Sequence, residues 1–514
     1  MQNSSRTARS LQNAKVALAF YVLNLVLQFF SRKVFLDSLG SEVLGLNTTA
    51  QNLLGFLNLA ELGIGTAVAY NLYKPLFDGD RQAINDIVSI QGWLYRRIAC
   101  VVIASAMVLM CFFPLIFAKA EVPLWYTYGS FIALLTNALL GYFVNYRQIV
   151  LSADQKEYKV TYCVQGTKLV KAFLQMVAIY LLAYGYVWWM VLELVFAMVT
   201  SIVLDRAIKK EYPWLRPAVA AGKVLRKQYP EIITKTKLVF FHRIGGFVLR
   251  QSSPLVIYAY ASLTLVAIYG NYMLIVTGIT ALSNAMLNGI GAGIGNLVAE
   301  GKKTRIKAVF WEVIVLRMWI ASIFCFGMYV LGHPFIALWV GNGYFLPQSA
   351  FLVLIIITFI DLTRTYDLFI NAYGLFQDIW SPLVEATLNL GLSIFLGYYY
   401  GITGILSGVL ISLLLVICCW KPYFLYSRGF KESILEYVLH YMKYIGLLAT
   451  SFYISMVMPR SFLGFSLSES DYTWQIVYGM TITALYAIIS LLLLYSTDKS
   501  SKKFVHRILN KRRH

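Results

Sequence analysis

Arg243, Gly246 and Arg250 follow one another at i, i+3 and i+7 within an apolar stretch from about Leu238 to Tyr260. On a helix that spacing lines one face and sets the two cations roughly 10 Å apart in depth. His242 adjoins Arg243. Gly246 removes bulk between the arginines, and Pro254 deletes a backbone hydrogen bond and permits a kink. A cation in hydrocarbon costs roughly 2.5–3.5 kcal/mol on insertion scales, so such residues face a protein interior or an aqueous cavity. The chemistry open to this face is electrostatic: it can hold an anion. The structural alternative is that each arginine is neutralised by a carboxylate on a neighbouring helix.

Other apolar segments carry cations too. They are Arg147 in the fourth, Lys168 and Lys171 at the start of the fifth, and Arg317 about nine residues inside the ninth. For Arg147, Lys168 and Lys171, snorkelling to headgroups competes with lumen lining, and for Arg317 the depth makes snorkelling harder. The tenth segment holds Asp361, Arg364, Asp367 and Asn371 within one third of a helix circumference. That ladder reads either as a self-neutralised structural unit or as a gate or proton or sodium site. Glu61, Glu193 and Glu385 are isolated carboxylates, better suited to packing against an arginine than to ion coupling. Asn24, Gln28 and Ser31 form a polar stripe on the first segment, fitting interhelical glue as well as lumen lining.

Such residues need helices in a bilayer to position them. Of the 514 residues, 59% are hydrophobic and only 13% are charged, too little charge for a soluble surface of that extent. Apolar runs of span length recur from end to end. They predict an all-α membrane protein with about fourteen transmembrane helices, near 14–36, 43–72, 90–117, 126–151, 162–183, 187–205, 238–260, 265–298, 308–331, 347–372, 380–400, 402–420, 443–459 and 474–496. A β-barrel would show short alternating segments instead. The net charge of +20 is lopsided: about 35 of the 44 lysines and arginines fall on one predicted side. That asymmetry puts both termini in the cytoplasm, and such loops set topology or meet anionic lipid rather than nucleic acid. The six cysteines lie in apolar segments without metal spacing and read as small buried hydrophobes. The first apolar run is too long for a cleaved signal and lacks a small-x-small site. Trp125, Trp188, Trp189, Trp339 and Trp474 near span ends read as interfacial anchors.

The longest predicted connection, 206–237, holds three prolines and nine basic residues. It divides an N-terminal lobe (1–205, helices 1–6) from a C-terminal lobe (238–420, helices 7–12), and 421–514 adds helices 13–14 and a basic tail. Leu62–Gly65 matches Ala292–Gly295, Phe143–Asn145 matches Phe369–Asn371, and Gln28 falls opposite Arg250 when the lobes are superposed. These matches predict two six-helix lobes in a pseudo-twofold parallel repeat. The Gly289–Gly295 run lacks the strand and the Lys-Ser/Thr ending of a phosphate loop. Its Gly291/Gly295, like Gly404/Gly408, sets small residues at i, i+4 for close helix packing.

Leu39-Gly40-Ser-Glu-Val-Leu-Gly45-Leu-Asn47, then Asn58-Leu-Ala-Glu61-Leu-Gly-Ile-Gly65-Thr-Ala, then Tyr73-Lys-Pro with Asp78-Gly-Asp80 resemble bacterial polysaccharide-biosynthesis flippases of the Wzx type, within the multidrug/oligosaccharidyl-lipid/polysaccharide exporter superfamily. The resemblance implies a V-shaped pair of lobes around a cationic cavity in the bacterial inner membrane. It implies movement of a polyprenyl-diphosphate-linked oligosaccharide between leaflets by ion-coupled alternating access, with no cofactor beyond a coupling H+ or Na+. Arg250 and Arg243, helped by Arg147, Arg317 and Arg364, would then hold diphosphate and sugar, with Lys168 and Lys171 nearby. Asn24, Gln28, Ser31, His242 and Asn371 would line or gate the lumen, and Glu61, Asp361 or Asp367 would couple the ion. Membrane lipids, a polysaccharide polymerase and chain-length machinery are the expected partners. A drug or organic-cation exporter would favour an acidic lumen. A glycan polymerase or ligase would need a large extracytoplasmic loop, whereas the predicted ones are about 15 residues or shorter.

Overall fold

The computed structural model describes residues 6–61, 63–287, 294–295, 297–298, 300–375, 377–378, 380–463, 472–497 and 502, with the side chains of 6–11, 60, 238, 241–251, 285–287, 458–463 and 497 outside that description. Every regular element among them is helical, as hydrocarbon requires of a backbone that must satisfy its own hydrogen bonds. The helices are α1 (Arg6–Leu57), α2 (Ile64–Asp78), α3 (Arg81–Cys111), α4 (Leu124–Phe143), α5 (Ile149–Ala153), α6 (Glu157–Leu181), α7 (Gly185–Glu211), α8 (Gly222–Leu225), α9 (Pro230–Tyr260), α10 (Leu263–Leu287), α11 (Lys303–Val340), α12 (Gln348–Leu362), α13 (Tyr366–Ala372), α14 (Trp380–Leu413), α15 (Leu435–Leu463) and α16 (Tyr472–Thr497). Short 3-10 turns and wide π turns join several of them.

Eight helical stretches among the described residues are long and apolar enough to cross a membrane, nine if the bent α4–α5 pair is one span. The chain is a multi-pass membrane protein. Two of the eight are double: α1 kinks at Gly40 (φ 82°) and α14 at Gly401 (φ 56°), each a left-handed turn where a loop was expected. Three further helices of 25, 31 and 29 residues, α6, α9 and α15, also reach span length.

Two compact units divide the chain at 267/268, within the start of α10. In the first, α6 packs along α1 and α7, α4 along α7, and α9 against α1 and α2. The segment after α7 does not hang free. Gly222 presses on Ser89 and the Trp93 Cβ, where an added Cβ would lie 2.6 and 2.5 Å away. Asn85 Oδ1 accepts the Arg216 amide at 2.8 Å, and Trp93 lies between the Arg97 and Arg226 guanidiniums. In the second unit α11 runs beside α12, α15 and α16. Phe326 stacks on Tyr486 at 4.3 Å, and the Trp319 indole donates to the Ala487 carbonyl. The last two helices are therefore packed onto α11.

Some expectations change. Four predicted continuous helices are broken: the second at Gly63 (φ 98°), the third at Phe112, the fourth by a 58° bend after Phe143, and the tenth between Leu362 and Tyr366. Of the cysteines only Cys325 is buried, while Cys100, Cys111 and Cys419 are exposed; lipid is as apolar as a core, so facing outward costs a thiol little. Trp189 is no interfacial anchor: it is buried and stacked on Tyr186.

Candidate functional site

The break in the tenth helix reshapes its charged ladder. Thr363 turns its hydroxyl onto the Phe359 carbonyl, and the Thr365 amide bonds Thr363 instead of continuing the helix, a backbone competition typical of these side chains. Arg364 falls in the gap. Its Nε donates to Asp367 at 3.0 Å and its Nη1 to Asp361 at 3.4 Å, so the self-neutralised unit is what forms, across two helices rather than along one. The next backbone amide in register, Leu368, bonds Thr365, leaving the Arg364 carbonyl to accept Arg317 Nη1 at 3.1 Å. Arg317 Nε is buried with no partner. Glu385, read as an arginine's packing partner, is 3% exposed, and its Oε1 meets no donor.

In the first unit two of the anticipated cations, Arg147 and Lys171, are closed on acids. Arg147 pairs with Asp205, which also takes Lys209 at 2.7 Å. Lys171 pairs with Glu193 at 2.6 Å, and Gln175 donates both to Glu193 Oε2 and to the Trp189 carbonyl. Glu193's partner is thus a lysine, not an arginine. Lys168 and Gln28 are exposed and Ser31 half-buried. Asn24 donates to Gln165 Oε1 at 3.2 Å, the interhelical bond allowed for above. Asn371, in the second unit, is exposed. Helix α9 carries Arg243 and Arg250 in the anticipated register; the side chains of His242, Arg243 and Arg250 lie outside the described residues.

Glu61 sits at the break of the second helix, where Gly63 takes a left-handed conformation so close to α9 that a Cβ would lie 2.8 Å from the Thr236 carbonyl. The carboxylate accepts the Tyr95 hydroxyl at 2.9 Å, and Tyr142 donates to Asn58 Oδ1 at 2.9 Å. These groups open into a cavity of about 560 Å³, lined also by Gln91, Asn137 and Gln165. Its lining includes Glu61 and Glu157 and, among the described residues, no lysine or arginine. Gln91 is 2% exposed with an unpaired Oε1. Gln91, Tyr95, Asn137 and Gln165 were not singled out from sequence. The available signal was the i, i+4 pair Gln91/Tyr95 on an apolar helix, the same pattern that marked Asn24 and Gln28.

These features define a class: a two-unit helical membrane protein with broken spans and polar groups at the breaks. No protein-family model and no curated protein matches the sequence. Among solved structures, the fold is shared with a multidrug resistance MATE family transporter of the MOP superfamily in an inward-facing conformation, at TM-score 0.56 and 13% identity over 80% of this chain and 97% of that one. It is also shared with the lipid II flippase MurJ in an inward closed conformation, at TM-score 0.59 and 13% identity over 92% of this chain and 98% of that one.

Proposed function

We propose that this protein is a transporter that moves a polyprenyl-diphosphate-linked oligosaccharide from the cytoplasmic to the outer leaflet of a bacterial inner membrane. With fourteen crossings both termini lie on one side, and the positive charge of the loops assigns that side to the cytoplasm. The observation that carries the reading is a fold shared over 92% of this chain with a lipid II flippase. Diphosphate and hydrated sugars cannot cross hydrocarbon alone, since each unpaired polar group costs several kcal/mol. Arg243, Arg250 and Arg317 are the cations we assign to the diphosphate. Arg147, Arg364 and Lys171 already hold acids, and they reach the cargo only if those pairs open. Proton or sodium coupling falls to Asp361, with Glu385 added by its orphan oxygen. The hydrocarbon tail stays in lipid.

Deleting the gene should trap lipid-linked oligosaccharide in the inner leaflet, measured by leaflet-specific glycan labelling of spheroplasts. Arg250→Ala should restore less than about a tenth of the wild-type rate, since one lost charge-assisted contact is worth 1.5–3 kcal/mol. Normal distribution in the deletion strain would overturn the function, and full complementation by Arg250→Ala would overturn the site. A second reading, export of organic cations, is favoured by the lysine- and arginine-free lining around Glu61. It predicts cationic-dye accumulation in the deletion strain with glycan distribution unchanged.

A further inference from the structure

Fixed cations suit a diphosphate, whereas neutral sugar hydroxyls call for amides, carboxylate oxygens and aromatic ring faces. The first unit holds such a set, in a cavity whose described lining has no lysine or arginine. We propose that the cavity around Gln91, Glu61, Tyr95, Tyr142, Asn137 and Gln165 is a saccharide subsite, which rests on the transporter reading above and assigns one neutral sugar of its cargo.

Three observations carry this. The volume, about 560 Å³, is in the range of small-molecule sites of roughly 300–1,000 Å³. A dehydrated cation needs six to eight oxygens at about 2.4 Å and would leave most of that space unfilled. The polar groups are held in place and only partly used. Asn58 and Gln165 each give their oxygen to a neighbour, from Tyr142 and Asn24 respectively, so their amide N–H groups are the part left to donate. Gln91 lines the cavity too, but its Oε1 is closed off from solvent and meets no donor. With the Glu61 carboxylate and the Tyr95 hydroxyl as oxygens in the same lining, this mix of donors and acceptors matches vicinal hydroxyls, each of which gives one hydrogen bond and takes others. Finally, Tyr95 and Tyr142 meet edge to face at 5.5 Å and are buried, which fixes both side chains at the cavity wall. The lining without lysine or arginine argues against an anion.

The test is saturation-transfer NMR on the full-length protein in nanodiscs, with methyl glycosides of glucose, galactose, mannose, rhamnose, N-acetylglucosamine and N-acetylgalactosamine as probes. At least one should show transfer that competes with an excess of the same sugar. Asn137→Leu, at an exposed position where no packing is lost, and Gln91→Leu should each weaken it about tenfold or more. Gln348→Leu, at an exposed position in the second unit, should leave it unchanged. Absence of transfer with every glycoside, or transfer indifferent to both cavity variants, overturns the subsite. A sodium titration that shifts tyrosine fluorescence where no glycoside binds also overturns it, in favour of a cation. Glycoside binding in a protein whose deletion leaves lipid-linked oligosaccharide normally distributed keeps the subsite and overturns the transporter reading. Normal flipping without glycoside binding does the reverse.

Discussion

Glu193 and Lys171 show what a charge inside a membrane helix must have. The carboxylate side chain is 5% exposed and takes the ammonium at 2.6 Å and the Gln175 amide at 3.2 Å. Removing one partner of a buried pair costs about 3–5 kcal/mol, because the other is stranded, whereas replacing both by apolar groups is near neutral. Lys171→Met should therefore destabilise the detergent-solubilised protein by about 3 kcal/mol in denaturant unfolding, and Lys171→Met with Glu193→Leu should recover most of it. Equal loss in the double variant would mean the two do not act as a pair. Asp378, between α13 and α14, offers a pH handle. Burial alone would raise its carboxyl, but hydrogen bonds from Ser381 and the Trp420 indole and the Lys421 ammonium outweigh burial and hold it below the usual carboxylate range. A depressed folded-state value contributes stability that is full above the ordinary aspartate pKa of about 3.9 and is lost as pH falls below it. Asp378→Asn should thus cost about 2 kcal/mol at pH 7 and show a flatter stability profile between pH 7 and 3 than the parent. Parallel profiles would remove Asp378 from the acid response.

At the scale of elements, helices were legible and their interruptions were not. Hydrophobic runs mark helices because lipid rewards any apolar face, but a break depends on which backbone groups find substitutes. Thr363 and Thr365 supply hydroxyls for the tenth helix, and no periodicity reveals that. The family-like motifs turn out to be punctuation. Gly40 makes the first kink, Gly45 lies where a Cβ would be 1.9 Å from the Leu263 carbonyl, Gly63 breaks the second helix, and Asp80 caps α3 by accepting the Ala83 amide. The Gly404/Gly408 pair behaves as its spacing anticipated. A Cβ on Gly408 would lie 2.4 Å from the Ser393 amide, whereas Gly391 on the same helix has nothing within 4 Å. Gly408→Ala should lower stability by at least about 2 kcal/mol through forced separation of the backbones. Gly391→Ala should be neutral or stabilising by about 0.5–1 kcal/mol through helix propensity. The same ranking in both would show that close packing is not the constraint. The cavity around Glu61 escaped the sequence because its members come from five helices and only their convergence makes a site.

For the whole molecule, charge decides what counts as a span. Helix α9 runs 31 residues and carries Lys235, Lys237, Arg243 and Arg250. Everything proposed for the anion site requires that it nevertheless cross the bilayer, since a surface helix with the same arginines would pay no desolvation and need no lumen. Between Lys227, in the segment docked on α3, and Ser262, at the start of α10, α9 is the only long helix. If it spans, these two exposed positions lie on opposite sides of the membrane. In a background with all six cysteines replaced by alanine, Ser262→Cys should react with an impermeant maleimide added to spheroplasts. Lys227→Cys should react only after permeabilisation, as the positive charge of its segment also dictates. Labelling of both from outside, or of neither, would place α9 along one surface and take Arg243 and Arg250 out of the membrane interior, whatever the cargo.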